Sequence, residues 1–289
     1  MSSATAALPP VLELNWGTVR GCSFAEVFEV AGRTGYRRVT VTLALYRAAL
    51  ERAGSDAELL ARVRASGADV GYLDGGVILP GMSNDPDAFA RSQDEVFRFT
   101  ETYQARVVNV HHYGGSGVEF GELVDALGAV AARAATEGVA LVTEFIPGTG
   151  IPDLATAVAL ADAVGAANLS VLFDTWHHWR SGGRMSDLAA LRPGLIGASQ
   201  LSDMPAERIG TWLPGDPEAA ERNARMYVPM TGRLLPGEGA LPLPEVVSWL
   251  RTTAPDVPLG VEIFSTELDA MTPDDAAATV AASLREMLA

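Results

Sequence analysis

The chain contains no lysine; all 21 of its basic residues are arginine. Without a lysine amine it cannot form the Schiff base of an aldolase or of pyridoxal phosphate catalysis, nor build a Walker-type phosphate loop. Arginine stays protonated, so it binds oxyanions but is a poor proton shuttle. Cysteine is almost absent too. Cys22 stands alone, which excludes an internal disulfide and a thiolate-cluster metal site and fits a reducing compartment. No uninterrupted apolar run reaches about 18 residues, so no membrane span or membrane partner is expected. The opening MSSATAALPPVLELN has no charged segment followed by an apolar core, so no signal peptide is expected and the expected location is cytoplasmic. Positive charge is in deficit, with a formal net charge of −15. Such a surface repels phosphate backbones, which makes nucleic acid an unexpected partner.

The chain has 289 residues, 48% of them apolar, enough to bury a full core. Short β-branched runs alternate with alanine-rich amphipathic stretches. The expected strands are Val11–Asn15, Arg38–Thr42, Asp69–Leu73, Arg106–His111, Val139–Glu144, Leu169–Asp174, Leu195–Gln200 and Leu259–Glu262. The expected helices are Phe24–Arg33, Ala57–Ala65, Asp85–Tyr103, Gly121–Thr136, Leu154–Val164, a short one near Met185–Leu191, Pro244–Arg251 and Pro273–Met287. Ser23, Ser55, Asn84 and Thr272 are their expected caps. Eight strand-helix units of about 30 residues favour one closed (β/α)8 TIM barrel of parallel strands over residues 1–289. An open doubly wound sheet is the alternative. One stretch breaks the rhythm: a segment rich in Pro, Gly, Arg and Glu, at about residues 203–239, follows the seventh strand. Connections beyond about 12–15 residues are often functional, and this one lies on the face where barrel active sites form.

Four successive apolar runs end in polar residues. VALVTE ends on Glu144, LSVLFD on Asp174, LIGASQ on Gln200 and PLGVE on Glu262. The inward side chains of a barrel strand should be apolar, and a carboxylate there is costly unless paired or metal-bound. At the C-terminal end of a strand the side chain reaches the open mouth, and four neighbouring strands bring these four oxygens towards one point. Three anions and one amide suit a single hard divalent ion, Mn²⁺ or Mg²⁺ before a softer metal, with Co²⁺ and Zn²⁺ also open. The plainer alternative is that these residues pair with arginines or cap helices. The only four histidines fall in two pairs, His111-His112 and His177-His178, at the same expected mouth. Neutral imidazole binds hydroxyls, and imidazolium polarises a carbonyl.

The segments LVTEF, FDTWHHW, ASQLSD, PGEG and VEIFS resemble the sugar isomerase/epimerase family of xylose isomerase-like TIM barrels, in strand order and length over nearly the whole chain. The resemblance implies metal ligation by Glu144, Asp174, Gln200 and Glu262. It implies Glu144 and Glu262 as the catalytic acid–base pair, with His177, three residues after Asp174, at the substrate. It further implies an aspartate three residues after the seventh-strand ligand, matched by Asp203, and soon after it an arginine that holds substrate oxygens, for which Arg208 is the nearest match. His111, His112 and Trp176 complete the expected substrate contacts. Many members have histidine where this chain has Gln200, and the segment Met204–Leu235 is longer than in the simple isomerases. The resemblance also implies pairing of barrels through mouth loops, so a homo-oligomer is among the expectations.

The implied chemistry is proton transfer next to a carbonyl of a small carbohydrate-like substrate, with the metal stabilising an enediolate. Reprotonation on the opposite face epimerises; reprotonation of the adjacent carbon isomerises. Expulsion of a β-leaving group instead would make a lyase, such as a dehydratase or a 3-keto-glycoside deglycosidase. Trp176, Trp179, Trp212 and Tyr227 would then line a roomier pocket, or else simply pack the rim. Abasic-site DNA repair occurs on a related barrel, but few histidines, no lysine and the acidic charge argue against it. A binding protein without activity has no use for two carboxylates flanking a reactive carbon. Arg180, Arg184, Arg208, Arg222, Arg225 and Arg233 are expected to balance local acidic residues rather than to bind an oxyanion.

Overall fold

The β-branched runs form strands β1 (Leu12–Asn15), β2 (Arg38–Val41), β3 (Asp69–Asp74), β4 (Val107–His111), β5 (Ala140–Glu144), β6 (Leu169–Asp174), β7 (Ile196–Gln200) and β8 (Leu259–Val261). They are seen in a computed structural model that describes residues 11–113, 117–212 and 231–289. The paired strands run parallel, in the order β7-β6-β5-β4-β3-β2-β1-β8. The two ends of this row then meet. Leu201 and Val261 form a parallel bridge, the Leu201 N–H donating to the Gly260 carbonyl at 2.8 Å and the Glu262 N–H to the Leu201 carbonyl at 3.2 Å. A Cβ at residue 260 would collide with the Ser199 carbonyl oxygen, so this close approach requires glycine. The sheet is a TIM barrel and not an open doubly wound sheet.

The helices are α1 (Phe24–Thr34), α2 (Leu43–Ala53), α3 (Asp56–Ser66), α4 (Ala88–Tyr103), α5 (Phe120–Thr136), α6 (Leu154–Val164), α7 (Thr175–Arg180), α8 (Met185–Ala189), α9 (Leu243–Thr253), α10 (Thr266–Asp269) and α11 (Pro273–Met287). In α1, Phe24, Ala25, Val27, Phe28, Val30 and Ala31 are buried along one stripe, as a helix covering a sheet requires. Ser23 and Glu26 close a capping box at its start, and Gly35 ends it in the left-handed conformation. Thr272 caps α11, its side chain accepting the Asp275 N–H, and Ser55 stands at the N-cap position of α3 without a side-chain cap hydrogen bond.

Two expectations fail here. Asn84 is not a cap: the Asp85 side chain accepts the Asp87 N–H at 3.0 Å, and that local turn delays α4 until Asp87 can serve as its N-cap. The interior is not uniformly apolar either. A small apolar cluster of Tyr72, Val142, Leu172 and Ala198 shares its surroundings with Glu13, which is buried and accepts from the Thr40 hydroxyl at 3.0 Å. Glu13, Arg38, Gly71, Tyr72, Ala198 and Ser199 are among the residues lining a cavity of about 150 Å³ there. Burial pushes the Glu13 carboxyl up to about 7, against the lowering effects of Thr40 and Arg38. Among the described residues no helix is long and apolar enough to cross a membrane.

Candidate metal and acid–base site

The C-terminal ends of β3 to β7, with the residue after β8, carry Asp74, His111, Glu144, Asp174, Gln200 and Glu262. Strand register sets them side by side: His111 is level with Glu144, and Asp174 with Gln200. Apart from the part-buried Asp74, all are buried. Hydrogen bonds fix the carboxylates individually. The Asn109 amide donates to Glu144 Oε2 at 2.6 Å and to Asp74 Oδ1 at 2.9 Å. Asp174 caps α7, its Oδ1 accepting the His177 N–H at 2.9 Å. This short helix places the His177 ring in the mouth, its Nε2 3.5 Å from Glu144 Oε1 and 3.8 Å from Asp174 Oδ2. His111 Nδ1 lies 3.8 Å from both Asp74 Oδ1 and Glu144 Oε2.

Arg233 crosses the other side of the mouth. It is fully buried and donates through Nη1 to Glu262 Oε2 at 2.7 Å, to the Glu262 carbonyl at 3.0 Å and to Asp174 Oδ2 at 3.2 Å. Its guanidinium also faces the rings of Phe264 and Trp176. Among the described residues one guanidinium thus serves two carboxylates, while Glu144 and Asp74 lie nearby. The electrostatics reflect that imbalance. Burial, followed by repulsion from Asp74, Glu262 and Asp174, holds Glu144 well above the usual carboxylate range. Burial also pushes Glu262 up to about 8, although Arg233 pulls the other way. His177 is lowered to about 4 by burial, so its ring is neutral near pH 7.

These residues suit a hard divalent cation. Two overlapping groups, Asp74–His111–Glu144 and Glu144–Asp174–His177, each bring their ligand atoms within 4.8 Å of one another. The Asn109 amide already bridges Asp74 and Glu144 in the first group. On the second side, Gln200 Oε1 is a buried acceptor without a hydrogen-bond donor, a costly state that a cation would relieve. A divalent charge would also offset the mutual repulsion of the carboxylates.

The expected site residues separate into two sets. Glu144, Asp174, Gln200, Glu262, His111 and His177 come together at the mouth. His112 does not join them: its Nε2 contacts the Pro80 carbonyl at 3.0 Å and its Nδ1 accepts the Gly150 N–H at 3.0 Å. Both ring nitrogens therefore meet backbone groups of neighbouring loops. His178 likewise packs on Phe173 and Trp179 with Nε2 on the Arg184 carbonyl. Trp176 is fully buried, with the guanidiniums of Arg180 and Arg233 over its ring. Trp179 and Trp212 are buried as well, Trp212 under the Arg180 guanidinium at 4.0 Å. Arg208 ends a single 3-10 turn, Ala206–Arg208. Among the described residues the arginine that meets the cluster is Arg233, three residues before the PGEG turn. Its role matches the expectation that the arginines balance acidic residues. Tyr227, Arg222 and Arg225 lie outside the described residues.

Asp203 is fully buried and ties the connection after β7 to its return. It accepts the N–H groups of Met204 at 2.8 Å, Gly237 at 3.0 Å and Leu241 at 3.0 Å, and its backbone pairs with Leu234. Asp74 and Asn109 were missed. Asp74 ends the run VGYLD as the other carboxylates end theirs; Asn109 interrupts the apolar run VVNV.

A family model described as xylose isomerase-like TIM barrel matches residues 28–287. No curated protein matches the sequence. Among solved structures, the IolI protein with a bound zinc atom superimposes with a TM-score of 0.82 at 17% identity, covering 96% of this chain and 97% of that one. A probable 3-DHS dehydratase, AsbF of Bacillus anthracis, involved in petrobactin synthesis, gives 0.72 at 16% identity over 95% and 98%. D-psicose 3-epimerase, solved in the presence of D-fructose, gives 0.68 at 15% over 96% and 99%. At these identities the likeness concerns the fold.

Proposed function

From the premise that the chain belongs to the xylose isomerase-like TIM barrel family, we propose that it is a divalent-metal-dependent isomerase or epimerase of a sugar, ketose or inosose-like polyol. The observation that carries the reading is the pair Glu144 and Glu262. Both are buried, both have raised pKa values, and they stand on strands separated by β6 and β7. A buried carboxyl whose proton affinity is raised above the ordinary carboxylate range takes a proton from carbon more readily than a surface carboxylate.

Glu144, Asp174, Gln200 and Glu262 would hold the ion. When bound it supplies Lewis-acid stabilisation of negative charge on substrate oxygens. The protein does the rest. Asn109 pins Glu144 Oε2, leaving Oε1 to take or return a proton. Arg233 holds Glu262 Oε2, which leaves Glu262 Oε1 for the opposite transfer. Neutral His177, beside Glu144 Oε1, offers a ring nitrogen to a substrate hydroxyl, and His111 does the same from β4. Residues 1–289 are read as one barrel domain whose segment at about 203–239 belongs to the active-site face. A homo-oligomer and a cytoplasmic location are part of the same reading.

The test combines elemental analysis with product analysis. Purified protein is assayed for bound metal, then incubated with Mn²⁺, Mg²⁺, Co²⁺ or Zn²⁺ and a panel of ketoses, inososes and 3-keto-glycosides in deuterated water. A product of unchanged skeleton carrying one deuterium at carbon supports the proposal. Loss of water or of an aglycone would reassign the site to a lyase. No metal uptake and no exchange with any substrate would remove the reading.

A further inference from the structure

Gln200 is the one neutral member of the proposed ligand set. A carboxylate presents oxygen at both ends, whereas an amide presents oxygen at one end and an N–H₂ group at the other. Set among Glu144, Asp174 and Glu262, the N–H₂ end has every electrostatic reason to turn towards the carboxylates. That orientation would place a donor where a cation needs an acceptor.

The structure supplies a competing acceptor. Gln200 Nε2 donates to the Tyr72 hydroxyl at 2.9 Å, across 128 residues of sequence and wholly inside the barrel. Tyr72 reaches this point from the middle of β3, 2% exposed, with its ring in the apolar cluster of Val142, Leu172 and Ala198. The Tyr72 oxygen is itself held. Asn15 Nδ2 approaches it at 3.5 Å, and the Asn15 amide is fixed because its Oδ1 accepts the Gly17 N–H at 2.8 Å. A backbone N–H can only donate, so the Asn15 oxygen faces Gly17 and its nitrogen faces Tyr72. With Nε2 engaged on the phenol, Gln200 keeps Oε1 as the end without a donor.

We propose that Tyr72 is a positioning residue that holds the Gln200 amide with its oxygen towards the carboxylate cluster, and so makes a glutamine serviceable as a metal ligand in this barrel. The inference rests on the metal reading given above. Tyr72 touches neither the ion nor the substrate; it acts through Gln200.

The experiment is a double-mutant cycle read on metal affinity. Chelator-stripped wild type, Tyr72→Phe, Gln200→Ala and the double variant are titrated with Mn²⁺ and with Zn²⁺ by calorimetry. Tyr72→Phe should weaken binding about 10–100-fold, the usual effect of removing a partner that orients a ligand. The same change in the Gln200→Ala background should have no effect. An unchanged affinity in Tyr72→Phe, or an equal loss in both backgrounds, would overturn the proposal, since the ring would then matter only as core packing. Wild type that binds neither metal would fail earlier and would overturn the metal reading along with this one.

A measurement on the wild type covers the case in which Tyr72→Phe does not fold. The chain has three glutamines, Gln93, Gln104 and Gln200, so side-chain amide labelling yields three signal pairs, with Gln200 assigned from Gln200→Ala. Its amide protons should be protected from solvent exchange both without metal and with Zn²⁺. Exchange as fast as that of the exposed Gln104 would overturn the proposal.

Discussion

Glu144 and Glu262 differ in what restrains them. Glu144 is held by a neutral amide, Asn109, and Glu262 by a guanidinium, Arg233, so their proton affinities are set by different neighbours. Replacing either by Gln keeps the shape and removes the exchangeable charge. Each change is expected to lower turnover by about 10²–10⁴-fold, and the double variant should bind much less metal. Steady-state rates on the substrate found in the screen provide the check, and unchanged turnover in both single variants would remove the acid–base assignment. These two residues were legible in the sequence because a carboxylate ending a hydrophobic run is conspicuous. Arg233, Asp74, Asn109 and Tyr72 were harder to see. Arg233 reaches Asp174 across 59 residues, and Tyr72 reaches Gln200 across 128. Neither partnership leaves a local pattern. Within each histidine pair, adjacent strand and helix positions point differently: His111 and His177 face the carboxylates, whereas His112 and His178 meet backbone carbonyls.

The strands were read to within a residue or two because their apolar runs are short and sharply ended. Helices α2, α7 and α10 were not. Helix α2 begins immediately after β2, with Thr42 as both the end of one pattern and the cap of the next, so no break in composition announces it. Helices α7 and α10 are six and four residues long, too short for a period to register. Asp203 sits at a junction of the same kind, where β7 ends and a long connection begins. Its three backbone partners lie one, 34 and 38 residues away. Asp203→Ala leaves those N–H groups without their acceptor in a buried setting. A loss of about 2–4 kcal/mol is expected, seen as a melting temperature lowered by several degrees. A variant that melts with the wild type would show that the turn is held by other contacts.

At the scale of the whole barrel, Glu13 is a buried acid near the centre of the fold with no part in the proposed chemistry. Its folded pKa of about 7 stands above its ordinary value of 4.5. Unfolding therefore releases a proton between those two values, and stability falls as pH rises through that window. Below about pH 4.5 the residue is neutral in both states and costs nothing; above about pH 7 the full penalty, on the order of 3 kcal/mol, applies. Glu13→Gln keeps an acceptor for Thr40 and removes the titration. It should melt with the wild type at pH 4 and well above it at pH 8. A difference independent of pH would mean that packing, not charge, governs the position. The sequence hid this residue, because LELN reads as an ordinary alternating strand and the rule that barrel interiors are apolar places Glu13 outside.

The barrel is also unevenly stitched. β4 and β5 pair over five positions, from Val107↔Ala140 to His111↔Glu144, whereas β7 and β8 are joined by the bridge Leu201↔Val261. Gln200 and Glu262 stand on opposite lips of that seam. Breathing of the wall would therefore open between two of the proposed ligands, and anything that grips both would act as a suture. Hydrogen–deuterium exchange should find the Leu201 and Glu262 amides less protected than that of Thr143. On addition of metal it should find them slowed more than any others in the barrel wall, so that the ion the mouth selects would be the rivet that completes the cylinder.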